Sequence, residues 1–202
     1  MKLRDSGMPE RDYWETLLDV PLILDRFGFG SDTGDVAELG CGYGTFTVPL
    51  ARRIRGTIHA FDIEAGMVEA TRQRAMSAGI QNVRTARRDV LADGFGLAED
   101  SCDACLLFNI LHGESPVDLL REAGRIVRPG GSVSVIHWRS DIITPRGPAA
   151  DIRPKPEKIL QWTALSGNLV AGQAVFLLPP WHYGVRLKKI PGNAQDMMRC
   201  RQ

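Results

Sequence analysis

The stretch Val36-Ala-Glu-Leu-Gly40-Cys-Gly42-Tyr-Gly44-Thr-Phe46 decides how this chain is read. Residues Asp35 to Leu39 are short and apolar, as a buried strand should be. Three alternating glycines follow, and a helical stretch runs from about Gly44 to Ile54. Glycine there permits a tight turn and a close approach of backbone to a ligand. The spacing discriminates between ligands. A dinucleotide loop reads G-x-G-x-x-G, and its third glycine would fall on Thr45. Glu38 also stands beside the loop. Its carboxylate would repel a pyrophosphate and suits a ligand carrying an ammonium or sulfonium group.

Outward from this stretch, strand-like and helix-like segments alternate. Thr57 to Ile63 is the next strand, and Glu64 to Gly79 is a helix with Val68, Thr71, Ala75 and Ala78 on one face. Val83 to Val90 is a weaker strand. Asp103 to Asn109 is a near-continuous apolar run, fit for a strand buried on both sides. Ser115 is expected to cap the following helix, whose first turn holds Pro116. Leu119, Leu120, Ala123, Ile126 and Val127 form its buried stripe, and Pro129-Gly130-Gly131 ends it. Ser132 to Trp138 is a strand and Pro156 to Ser166 a helix. Leu169 to Leu178 and His182 to Lys188 make a final antiparallel pair joined at Pro179-Pro180-Trp181. Repeated strand–helix units imply a parallel sheet with helices on both faces. Ligands then sit at the carboxyl ends of the strands, near the topological switch point.

With these residues in place, the chain resembles the class I S-adenosylmethionine-dependent methyltransferases. Glu38-Leu-Gly-Cys-Gly-Tyr-Gly44 matches that family's first motif. The resemblance is strongest over residues 34–139. It implies a Rossmann-like α/β fold, a seven-stranded mostly parallel sheet with helices on both faces and an antiparallel C-terminal hairpin. It implies S-adenosyl-L-methionine as cofactor and S-adenosyl-L-homocysteine as product. Asp62, with Ile63 after it, matches the acid that holds both ribose hydroxyls. Asp89 and Val90, after Arg88, resemble the segment that accepts from the adenine amino group; Asp89 alternatively caps a following turn. Asn109 closes the strand whose end meets the methionine part. Glu38, Gly40, Cys41, Gly42 and Gly44 complete the expected cofactor set. In the leading helix from Met8, Tyr13 or Trp14 closes over the cofactor, or Trp14, Leu17 and Leu18 simply pack on the sheet.

Methyl transfer from a sulfonium is an in-line displacement, so holding the reactants matters more than a fixed triad. On the acceptor side His112 is the candidate catalytic group, as a base or a substrate contact; the alternative is a polar helix-start residue. His137 lies in an apolar run and reads as a satisfied core histidine. Trp181-His182-Tyr183 either walls the pocket or packs a strand start. Residues 139–158 form a mildly basic, proline-stiffened loop at the expected rim, open to an anionic acceptor or merely solvated. Asn109-Ile-Leu-His112 lacks the Pro-Pro-aromatic run of amino-directed DNA methyltransferases. Cys102 and Cys105 look like half a metal pair without a partner pair, and Cys105 sits in a buried strand. No metal is expected.

Composition sets the outer bounds. The 202 residues are 44% hydrophobic and 24% charged, with Lys and Arg totalling 25 against 24 Asp and Glu. This excludes a disordered chain, a fibre and a coiled coil. It also provides no global positive field for nucleic acid. No apolar run approaches the length of a membrane helix, and the N-terminus lacks a secretory apolar core. The expectations are a cytoplasmic protein with reduced cysteines and no membrane partner or nucleic-acid module, acting on a small-molecule acceptor. The organisation is residues 1–30 as a helical lid, 31–190 as the cofactor-binding domain and 191–202 as a frayed tail. Two other readings stay open: a noncatalytic cofactor-binding or scaffold protein, and a nicotinamide-dependent oxidoreductase.

Overall fold

A computed structural model describes residues 8–172 and 175–191. The tail expected beyond residue 191, with Cys200, lies outside them. Five parallel strands form the body of the sheet: β1 (Val36–Leu39), β2 (Ile58–Asp62), β3 (Val83–Arg87), β4 (Cys102–Phe108) and β5 (Val127–Trp138). Then β8 (His182–Lys189) lies antiparallel against β5. Two short strands, β6 (Leu169–Ala171) and β7 (Phe176–Leu178), pair with the other edge of β8. The order is β3-β2-β1-β4-β5-β8-β6, with β7 beside β8.

The single strand expected over 169–178 is therefore a split edge, and the sheet has eight strands in seven positions. Gly172 follows β6 and brings no side chain to pack. Its amide still donates to the Arg186 carbonyl at 2.9 Å.

Side chains alternate across the sheet because successive Cβ atoms point to opposite faces. Along β4, Ala104, Leu106 and Phe108 join one core, and Cys105 and Leu107 the other. The first core is covered by α2 (Val20–Arg26) and α3 (Thr47–Ala51), with α4 (Ala65–Ser77) beside α3. The second is covered by α6 (Pro116–Ile126), α7 (Pro156–Ser166) and the short α5 (Val90–Asp93). Each fully buried leucine here contributes about 1.5–3 kcal/mol relative to exposure.

Three local expectations change. Val127 is buried as expected, but it opens β5 rather than closing α6. Its passage through Gly130 (φ 77°) is absorbed as a register shift opposite Cys102 and Ala104, because a glycine bulge keeps the strand going where a helix stop was expected. Ser115 takes a left-handed conformation (φ 51°) and makes no side-chain cap. Its carbonyl instead accepts from the amides of Asp118 and Leu119, at 3.0 and 3.1 Å. The leading segment holds α1 (Arg11–Thr16) and then α2, a second helix that the sequence reading lacked. Leu17, Leu18, Ile23, Leu24 and Phe27 tie this segment into the first core.

Candidate active site

Parallel pairing aligns the carboxyl ends of the central strands. Leu39 lies opposite both Phe61 and Leu107. The loops after β1 to β5 consequently open on one edge, at the switch between β1 and β4. A cavity of about 770 Å³ lies there. That is the size of a small-molecule site.

Gly40, Cys41 and Gly42 of the glycine turn form one wall, and Gly44, expected among the cofactor residues, does not line it because it faces Thr71 on α4. Gly40, Gly42 and Gly44 have φ of 76°, 55° and 71°, values that L side chains rarely adopt. A Cβ on Gly40 would lie 2.8 Å from Ile110 Cδ1. Thr71 on α4 holds the turn by donating its hydroxyl to the Gly42 carbonyl at 2.8 Å. Thr45 is buried, and its hydroxyl donates to Glu15. Cys41 is a buried thiol whose pKa is raised by burial, so it is unreactive.

Glu38 and Asp62 supply two nearly buried carboxyl groups, 3% and 5% exposed. Glu38 accepts from the Thr47 hydroxyl at 2.6 Å. Burial pushes its pKa up to about 8, the Thr47 bond opposes that, and Asp62 adds to it. Asp62 closes β2 and accepts from the amides of Gly42 and Glu64, each at 3.0 Å. Burial raises its pKa too, against those amide bonds. Each carboxylate oxygen accepts more than one hydrogen bond, so Asp62 keeps capacity for a ligand.

The other expected cofactor residues Ile63, Asp89, Val90 and Asn109 also line the cavity. Asp89 is at the same time the N-cap of α5, accepting from the Ala92 amide at 3.3 Å. Asn109 follows β4 in a left-handed conformation (φ 58°), and its buried Oδ1 has no hydrogen-bond partner among the described residues. It offers an acceptor to a ligand donor.

The opposite half of the cavity is apolar and aromatic. Trp14, Phe108 and Trp138 line it, with Met8 and Pro9 on one side and Arg146 to Ala149 and Ile152 on the other. Tyr13 is not part of it. The α1 helix turns Trp14 inward, 6.4 Å from the Trp138 ring, and leaves Tyr13 43% exposed. Arg153 holds the 139–152 loop. Its guanidinium donates to the carbonyls of Arg139, Arg146 and Pro148 and lies 6.0 Å from the Trp138 ring centre. The sequence reading placed this loop at the rim but missed its arginine tie, which joins positions far apart along the loop.

His112 lines this half. Its Nδ1 lies 3.3 Å from His137 Nε2. His137 is fully buried in the core, as expected, and a hydrogen bond with the Trp138 backbone opposes the lowering of its pKa, although its Nδ1 makes no full hydrogen bond among the described residues. Burial lowers the pKa of His112 and takes His137 and His182 down to about 3. His182 packs against Trp138, with ring centres 4.1 Å apart, and Tyr183 donates to the Pro154 carbonyl. Both act as packing at the start of β8. Cys102 and Cys105 are buried free thiols, and no metal-binding cluster occurs among the described residues.

The profile of the methyltransferase-domain family matches residues 36–131, which hold the glycine turn, Glu38, Asp62, Asp89, Asn109 and His112. The chain carries a class I methyltransferase domain. The methyltransferase GfsG of Streptomyces halstedii is 29% identical over 120 residues, 58% of this chain and 40% of that protein. The aklanonic acid methyltransferase DauC of a Streptomyces species is 35% identical over 66 residues, 31% of this chain and 30% of that protein. The chain thus spans well under two thirds of these curated relatives. Matches over 70 residues, at 38% and 37% identity, reach the 23S rRNA (uracil(1939)-C(5))-methyltransferase RlmD of two Stenotrophomonas maltophilia strains, 15% of each of those proteins. Among solved structures, a SAM-dependent methyltransferase from Aquifex aeolicus superposes with a TM-score of 0.78 at 20% identity, over 90% of this chain and 94% of that one. At that identity the likeness concerns the fold of the methyltransferase domain.

Proposed function

We propose that the cavity binds S-adenosyl-L-methionine and that the chain methylates a small-molecule acceptor. The observation that carries this is the composition of one cavity. Its first half joins a positive-φ glycine turn to two buried carboxyl groups, and its second half is aromatic with a single histidine at its edge. The first half fits the cofactor. A side chain on Gly40 or Gly42 would strain the turn, Asp62 suits the ribose hydroxyls, and Glu38 with the orphan Asn109 Oδ1 suits an ammonium group. Ile63, Asp89 and Val90 flank the adenine end. The bound cofactor supplies an electrophilic methyl on a sulfonium.

The chain's own groups bind, orient and exclude water. Met8, Pro9 and Trp14 form a leading lid, and the loop tied by Arg153 closes the other side. Enclosure dries the transfer site and fixes the approach of the acceptor. A cavity of about 770 Å³ suits a small molecule better than a folded RNA. His112 is the polar group offered to the acceptor. Among the described residues no helix is long and apolar enough to cross a membrane. We place the reaction in the cytoplasm, where the buried thiols stay reduced.

The test is formation of S-adenosyl-L-homocysteine from S-adenosyl-L-methionine with a panel of small acceptors and, in parallel, ribosomal RNA. Turnover with a small molecule supports the reading. Turnover with RNA alone contradicts it.

A further inference from the structure

The leading segment lies on the cavity with little burial to keep it there. Its helix α1 is six residues long, contains no fully buried residue, and has an N-cap, Glu10, that makes no side-chain cap. A helix this short is marginal in water without tertiary support. Just past it, Leu17 and Leu18 are buried in the first core. The segment is therefore anchored at its C-terminal end and needs a second hold in front of those leucines.

Polar contacts supply that hold. The Tyr43 hydroxyl donates to the Pro9 carbonyl at 3.0 Å. On α1, the Glu15 carboxylate accepts from the Thr45 hydroxyl at 3.3 Å and from the guanidinium of Arg74 on α4. The same Arg74 nitrogen donates to the Tyr43 carbonyl at 3.2 Å. Each contact thus ends on residues 43–45, or on the arginine that also holds them. These residues continue the turn whose Gly40, Cys41 and Gly42 wall the cavity. Trp14, beside Glu15, lines the same cavity, and a Cβ on Gly42 would lie 3.3 Å from the Met8 methyl. Arg11, one turn earlier on α1, is bonded to Asp12 instead. The Glu15 and Arg74 side chains are 32% and 29% exposed, so water screens this pair less than a fully exposed one.

We propose that Glu15 is a positioning residue: by bridging Thr45 and Arg74 it latches the leading segment to the glycine turn and holds Trp14 over the cavity, and a bound cofactor leaves only when this latch opens. This rests on the methyl-transfer reading of the cavity. While the segment is swung away on Leu17 and Leu18, the wall made by Met8, Pro9 and Trp14 is missing. A ligand that touches both the turn and this wall stabilises the latched state. Unlatching then gates exchange. Losing a latch speeds release and does not slow capture. Damage to the turn would instead weaken binding by slowing capture.

Amide exchange and stopped-flow tryptophan fluorescence on the full chain test this, with Trp14 in the cavity wall as a reporter. The wild type is compared with Glu15→Ala. Without ligand, the amides of residues 14–17 should exchange about tenfold faster in the variant, the scale of one charge-assisted bond at a partly exposed site. Exchange in β1, β4 and β5 should be unchanged. S-adenosyl-L-homocysteine should protect residues 14–17 in the wild type. Its dissociation should be about tenfold faster from the variant, with association no slower. Arg74→Met removes the latch from α4 and should reproduce the pattern, and the double variant should add little, because both changes break one contact. If one variant does not fold, the other decides. Equal exchange over residues 14–17 in wild type and variants overturns the latch. So does an unchanged dissociation rate, or an affinity lost through slower association. A wild type that binds no homocysteine would sink the methyl-transfer reading instead, and exchange without ligand would still decide the latch.

Discussion

Glu38 holds its proton near neutrality because burial removes the water that would stabilise its charge. The sign of the consequence follows from linkage. Its pKa rises from 4.5 when unfolded to about 8 when folded. Between those values the folded chain binds more protons, so this contribution to stability is lost as pH rises towards 8. Glu38→Gln should flatten the decline in melting temperature from pH 6 to 8, measured by thermal unfolding in matched buffers; an unchanged slope would remove Glu38 as its cause. His137 and His182 act in the opposite direction. Their lowered pKa values make stability fall as pH drops below 6.5. Asp62 offers a different test. Asp62→Ala removes a charged acceptor and should weaken S-adenosyl-L-homocysteine binding by about 1.5–3 kcal/mol. Unaltered affinity in calorimetry would take Asp62 out of the site. These residues were legible in the sequence because their chemistry is local: a turn needing positive φ, and acids at strand ends. The His112–His137 contact was not, because it depends on the packing of β4 beside β5.

At the scale of elements, the loop between β5 and α7 is tied across its length by Arg153, which joins the carbonyls of Arg139, Arg146 and Pro148. Arg153→Ala should loosen residues 139–152 while leaving the sheet intact. Amide exchange should accelerate there roughly tenfold or more, since charged donors to carbonyls contribute about 1.5–3 kcal/mol each, with little change in the core strands. Uniform acceleration across the sheet would contradict the tie. Most elements were legible from periodicity, as in the α6 stripe Leu119, Leu120, Ala123 and Ile126, all buried. Their boundaries were less so. Pro129-Gly130-Gly131 reads as a stop, yet β5 absorbs it through a bulge against β4. Asp89 ends the strand-like run early by capping α5. Tyr13 and Trp14 are adjacent aromatics, and only the packing of α1 against Trp138 decides which one turns inward.

Over the whole molecule, one cavity draws its two halves from different parts of the chain. The first half comes from β1 to β4, the span that the family profile matches. The second adds the leading segment and the loop after β5, both outside that span, to Phe108, His112 and Trp138. The most direct measurement is calorimetric titration of the chain with S-adenosyl-L-homocysteine, with NAD run in parallel and Asp62→Ala as control. The account predicts saturable one-to-one binding of the homocysteine ligand, weakened in the variant, and no heat from NAD. Binding of NAD alone, or of neither ligand, would contradict it.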